Sequence, residues 1–119
     1  MTDNLSGTFE IELCGSVREL KSNFKTNEKL ERQVLKKPIM KALNDAIEGI
    51  IYFGDVVDVI VAGLAANGDT RLSRDEVGEY IHKKGLNTFL PFYIQYLTFS
   101  LTGGEVPEVE EIDELSKKK

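Results

Sequence analysis

Apolar and polar positions alternate from Thr8 to Leu13, with Phe9, Ile11 and Leu13 on one side. A period of two marks a half-buried strand. Cys14-Gly15-Ser16 follows as a turn, where glycine can take a positive φ. Val17 to Phe24 returns as a second, less clearly patterned strand, which predicts an N-terminal β-hairpin. A two-stranded hairpin is marginal in water by itself. It must lie on helices or pair with another chain, and an open strand edge is an assembly surface.

Beyond Lys25 the period becomes helical. Thr26 or Asn27 is the expected cap of a helix through Lys36, with Leu30 and Val34 one turn apart. Pro38 suits the first turn of the next helix, whose apolar face is read as Ile39, Leu43, Ala46, Ile47 and Ile50. Gly54-Asp55 reads as a break and a new cap. Val56, Ile60, Gly63 and Leu64 form the following stripe, flanked by Val57 and Val61. These β-branched residues are weak helix formers, so spacing alone argues for a helix over a strand.

Asn67-Gly68-Asp69 ends that segment. Ser73-Arg74-Asp75-Glu76 is a capping box, Val77, Tyr80 and Ile81 face inward, and Gly85 marks the stop. Asn87 or Thr88 then caps a last helix to about Leu101, with Pro91 near its first turn and Gly103-Gly104 after its end. The predicted fold is mainly α: a small helical domain with an N-terminal β-hairpin over residues 1–104. Residues 105–119 are read as an acidic disordered tail.

Charge sharpens this division. The chain of 119 residues carries a net charge of −5, and residues 105–119 hold six acids and three lysines. An acidic chain of one domain's length is a poor candidate for phosphate-backbone binding, so no nucleic-acid partner is expected. Cys14 is the only cysteine, which excludes an intrachain disulfide and a Cys-based zinc site within one chain. A reducing cytoplasm is the natural setting. Met1 to Gly7 is polar and unlike a signal peptide. The longest apolar stretch, Gly49 to Ala66, is interrupted by Asp55 and Asp58 and is read as two helix segments, with no membrane span.

Candidate chemistry is sparse. Asn67 to Glu76 resembles the later part of a calcium loop, with Asn67, Asp69 and Glu76 as ligands. Ala65 and Thr70 stand where such a loop needs a carboxylate and a glycine, so a turn and a capped helix explain the stretch better. His82 lies beside Lys83 and Lys84, as a solvated residue on a basic helix end. Cys14 has no neighbour in sequence that marks it as a reactive thiol. Glu10 with Glu12 reads as an outer strand face, and Asp55 with Asp58 as acids in a helix's first turn. No catalytic, metal or cofactor site is expected, and the chain is read as a non-enzyme.

The last helix stands apart. Phe89, Phe92, Tyr93, Tyr96 and Phe99 recur at helical spacing, while Leu90, Ile94, Leu97 and Leu101 cover the other side. A helix apolar nearly all round is central in a core or docked on a partner. Core is the first reading. In a domain this small part of that surface is expected to meet another protein, which makes these five aromatics the candidate partner-binding residues.

The order of strand, turn and helices, the run from Gly54 to Leu64, the helix start from Leu72 to Ile81 and Gly85 together resemble the small tail assembly chaperones of long-tailed phages and gene transfer agents. The resemblance spans about residues 7 to 102, and its motifs are short and hydrophobic. The Lys25 to Pro38 segment is more charged than that family's pattern. The resemblance implies a cytoplasmic role in a bacterial host, absent from the mature particle. Such chaperones bind the tape-measure protein, keep its hydrophobic helices soluble and recruit tail-tube subunits. Self-association is a further expectation. The rival readings are a head–tail connector or tail terminator, and a degenerate EF-hand-like calcium module.

Overall fold

In the computed structural model, which describes residues 8–103, β1 (Thr8–Leu13) and β2 (Ser16–Lys21) form an antiparallel hairpin. Thr8 faces Lys21 at one end and Leu13 faces Ser16 at the other. The turn is therefore two residues, with Cys14 at φ 53° and Gly15 at φ 86°. Two successive left-handed residues match the twist of a hairpin. This corrects the three-residue turn: Ser16 already belongs to β2. The predicted strand also runs too far, since Phe24 is helical. The lead before Thr8 and the tail from 105 to 119 lie outside the described residues.

α1 (Phe24–Lys29) is capped by Asn23, whose side chain accepts from the Thr26 N–H at 2.8 Å. Thr26 and Asn27, the expected caps, instead lie inside the helix. α1 runs on into a π-helical turn, Leu30–Val34, and closes at Lys36 with φ 59°. α2 (Ile39–Ile47) begins after Pro38, which flanks the helix and makes no side-chain capping bond to it. Glu31 supplies the missing acceptor from the π-turn, taking the Ile39 N–H at 2.8 Å. The charge of the 25–38 segment thus has one structural use at this junction.

α3 (Phe53–Ala66) is the central helix, in contact with β2, the π-turn, α4 (Arg74–Lys84) and α5 (Leu86–Leu101). That position explains its composition. Val56, Val57, Val59, Ile60, Ala62 and Leu64 are all buried, so burial on several sides outweighs weak β-branched propensity. Gly54-Asp55 is not a break: the helix starts at Phe53 and carries both residues in its first turn. α3 ends as predicted at Asn67-Gly68-Asp69. Gly68, at φ 80°, donates to the Ala65 carbonyl, and Asp69 donates to the Leu64 carbonyl. This pair of bonds is a Schellman stop.

The capping box of α4 is present in both directions. Ser73 Oγ accepts from the Glu76 N–H at 3.1 Å, and the Glu76 carboxylate accepts from the Ser73 N–H at 2.8 Å. Gly85 ends α4, and α5 follows at once without a side-chain cap from Asn87 or Thr88. Pro91 lies inside α5, beyond its first turn. α5 packs on α2, α3, α4 and β1. The hairpin's inward residues Ile11, Leu13 and Leu20 are buried against this helical body, so the hairpin lies on helices.

Candidate docking surface

The aromatic side of α5 is mostly core. Phe89, Tyr93, Tyr96 and Phe99 are buried, and only Phe92 keeps partial exposure. Rings interlock across elements: Phe9 lies 6.1 Å from Tyr96 and 5.7 Å from Phe99, and Tyr80 lies 5.9 Å from Phe89. The Tyr96 hydroxyl donates to the Lys21 carbonyl at 2.6 Å, which ties α5 to the end of β2. Burial pushes the Tyr96 hydroxyl well above its ordinary pKa, so it stays a donor. A partner meeting the folded domain reaches Phe92, and the other four are buried in the core.

The apolar surface that is open lies elsewhere. Met40 and Ile47 share one side of α2, seven residues apart. Ile47 is 64% exposed and Met40 56%. Ile50 is 56% exposed and Tyr52 69%, on the link to α3, and Phe53 opens α3 at 38%. Five exposed apolar side chains thus fall within residues 40–53. Val17, Phe24 and Leu101 are also exposed, but on three separate elements.

Ile47 and Ile50 were expected in the core, and the reason they are not is local. The buried side of α2 is Ile39, Ala42, Asp45 and Ala46. Asp45 is accommodated there because Lys41 and Lys37 each donate to its carboxylate at 3.1 Å. Lys41 first, then Lys37, hold that carboxyl below the usual range. Ile47 falls on the outer side. Gly49, at φ 86°, then donates to the Ala46 carbonyl while Ile50 donates to the Asp45 carbonyl at 2.7 Å. This second Schellman stop ends α2 before Ile50 can continue its face. Gly49, two residues past the last apolar helical position, was the available signal in the sequence.

The other candidate residues do not converge. Asp69 is half-buried in a clamp: Arg18 from β2 donates to it at 2.7 Å and Arg71 at 3.2 Å. Arg71, opposed by burial and joined by Arg18, holds the Asp69 carboxyl down to about 2. Glu76 is turned to its own helix cap. The two acids of the supposed calcium loop therefore serve different structural tasks. Among the described residues no three His, Cys, Asp or Glu side chains gather as a metal cluster.

Compared with known proteins, the chain matches no family model, no curated protein and no solved structure. The remaining chemistry must be read from the residues. Glu10 and Glu12 are exposed on the outer face of β1, and Glu12 accepts from the Tyr80 hydroxyl at 3.1 Å. Asp58 pairs with Arg74. Asp55 is half-buried, and burial raises its carboxyl above the ordinary range against the pull of Lys37. His82 is exposed, with its ring 6.4 Å from that of Phe53. Cys14 is half-buried in the hairpin turn. No helix among the described residues is long and apolar enough to cross a membrane.

Proposed function

We propose that this protein is a non-enzymatic chaperone of phage-type tail assembly. It binds the hydrophobic helices of a tape-measure protein and recruits tail-tube subunits, in the cytoplasm of the bacterial host, and is absent from the finished particle. The tail-assembly setting rests on the resemblance of the sequence. The observation that supports client binding is the exposed apolar set Met40, Ile47, Ile50, Tyr52 and Phe53. A rigid helix edge followed by a short link with a tyrosine and a phenylalanine is suited to an amphipathic helix. The aromatics add contact area at low entropy cost. Lys41, exposed beside this face, and Glu48 provide a polar rim.

The test is co-purification. Tagged chain from cells assembling tails is expected to bring down a long helical protein and tail-tube subunits. Finished particles are expected to lack it. Recovery of the chain as a stoichiometric part of finished particles would instead identify a connector or terminator.

A further inference from the structure

The turn at Cys14-Gly15 fixes which backbone groups of β1 point away from β2. A two-residue turn closes with a hydrogen bond between its flanking residues, so Leu13 and Ser16 are a bonded pair. Pairs along an antiparallel ladder alternate between bonded and non-bonded. Ile11↔Arg18 and Phe9↔Leu20 are therefore bonded, while Glu12↔Val17 and Glu10↔Glu19 are not. The N–H and C=O groups of Glu10 and Glu12 point off the outer edge of β1. The same alternation sends the Lys21 carbonyl off the outer edge of β2, and there it accepts from the Tyr96 hydroxyl at 2.6 Å.

β2 thus meets the body at its own edge and lies along α3. The sheet has two strands, so among the described residues no strand lies beyond β1. Nor does any hydrogen bond among them reach the backbone of Glu10 or Glu12 from outside the ladder. Thr8 to Leu13 contains no Lys and no Pro, two residues that commonly close such an edge. The outward side chains carry one sign. Glu10 and Glu19, both exposed, face each other directly in a non-bonded pair, the kind that brings side chains closest. Like charges placed so are destabilising. Neither has an ion-pair partner among the described residues, and Glu12 beside them takes a neutral donor, the Tyr80 hydroxyl. On the inner face Phe9 keeps partial exposure.

We infer that the β1 edge takes an extended segment of a partner protein as a third strand, with Lys or Arg opposite Glu10 and Glu12 and an apolar residue between them on the Phe9 side. Backbone hydrogen bonds to Glu10 and Glu12 supply the affinity, and the glutamates select the partner. The cations also relieve the repulsion between Glu10 and Glu19. A second copy is a poor occupant, because antiparallel pairing of two β1 strands about Ile11 sets Glu10 of each against Glu12 of the other. This surface is separate from the α2–α3 corner, and the inference does not depend on the tail-assembly reading.

The test uses the full chain, isotope-labelled, with a short synthetic peptide alternating lysine and valine as the probe. Amide hydrogen exchange is read by NMR. In the free chain the Glu10 and Glu12 amides should exchange fast and the Ile11 amide slowly. With the peptide, Glu10 and Glu12 should slow severalfold, while an alternating glutamate–valine peptide should leave them unchanged. A lysine–valine peptide with methylated backbone nitrogens should also fail, which separates strand addition from mere charge attraction. Glu10→Lys with Glu19→Lys should weaken the effect severalfold, with slow exchange at Ile11 showing that the hairpin is still formed. Fast exchange at Glu10 and Glu12 with the peptide bound would overturn the inference, as would equal action of the methylated or the acidic peptide. Slow exchange at these two amides in the free chain, rising with protein concentration, would assign the edge to a second copy and also overturn it.

Discussion

Gly63 shows how one residue sets the spacing of three elements. A Cβ built there would lie 3.0 Å from the Leu20 Cβ and 3.1 Å from the Tyr96 Oη. α3, β2 and α5 meet this closely at a position that lacks a side chain, and an added Cβ would have to push its neighbours aside by a few tenths of an ångström. Gly63→Ala is expected to destabilise the fold by about 1–3 kcal/mol through overpacking, measured by denaturant unfolding. An unchanged midpoint would mean that the three elements are not packed this closely. Asp69 makes a second residue-scale prediction. Its folded pKa is depressed from 3.8 to about 2, so its stabilising contribution is present above 3.8 and is lost as pH falls towards 2. Asp69→Asn should flatten the loss of stability between pH 3.8 and 2 while leaving the rest of the acid limb in place. Acid melting curves of the two proteins check this. Gly63 was legible in the sequence as part of an apolar stripe. The Arg18–Asp69 clamp was not, because it joins residues 51 positions apart.

The elements divide by whether their signals are local. The hairpin, the capping box at Ser73 and the stops at Gly68 and Gly85 depend on nearest neighbours, and the sequence carried them. The start of α1 was misplaced because Asn23, Thr26 and Asn27 can each cap a helix, and the cap that forms is the earliest of them, Asn23. α2 was extended past its end because Ile50 continues the apolar spacing, while the left-handed Gly49 turns the chain away. Gly49→Ala places a Cβ at φ 86° and is expected to cost about 1–2 kcal/mol. Thermal melting measures that cost. If Gly49→Ala proves neutral, the Schellman stop is not what fixes the link between α2 and α3. The same stop shapes the candidate surface, since it leaves Ile50 outside next to Ile47, which the outer side of α2 already exposes. An aromatic helix draws attention in a sequence because its apolar residues are countable. Whether they are spent inward depends on the hairpin and α2, which pack over α5 from distant parts of the chain.

At the scale of the whole molecule, the apolar excess of α5 is largely absorbed and a smaller excess appears on the α2–α3 corner. Exposed apolar side chains scattered singly are ordinary, but five within one helix edge and its link are a candidate contact. The account's central claim is that this corner holds the hydrophobic client. Its most direct test is co-expression of the tape-measure protein with the wild-type chain or with Ile47→Ser, Ile50→Ser and Tyr52→Ser combined. All three positions are exposed, so the variant is expected to melt close to wild type. The account predicts that the wild-type chain keeps the client soluble and co-purifies with it, while the folded triple variant does neither. Equal solubility and capture by the triple variant would contradict it.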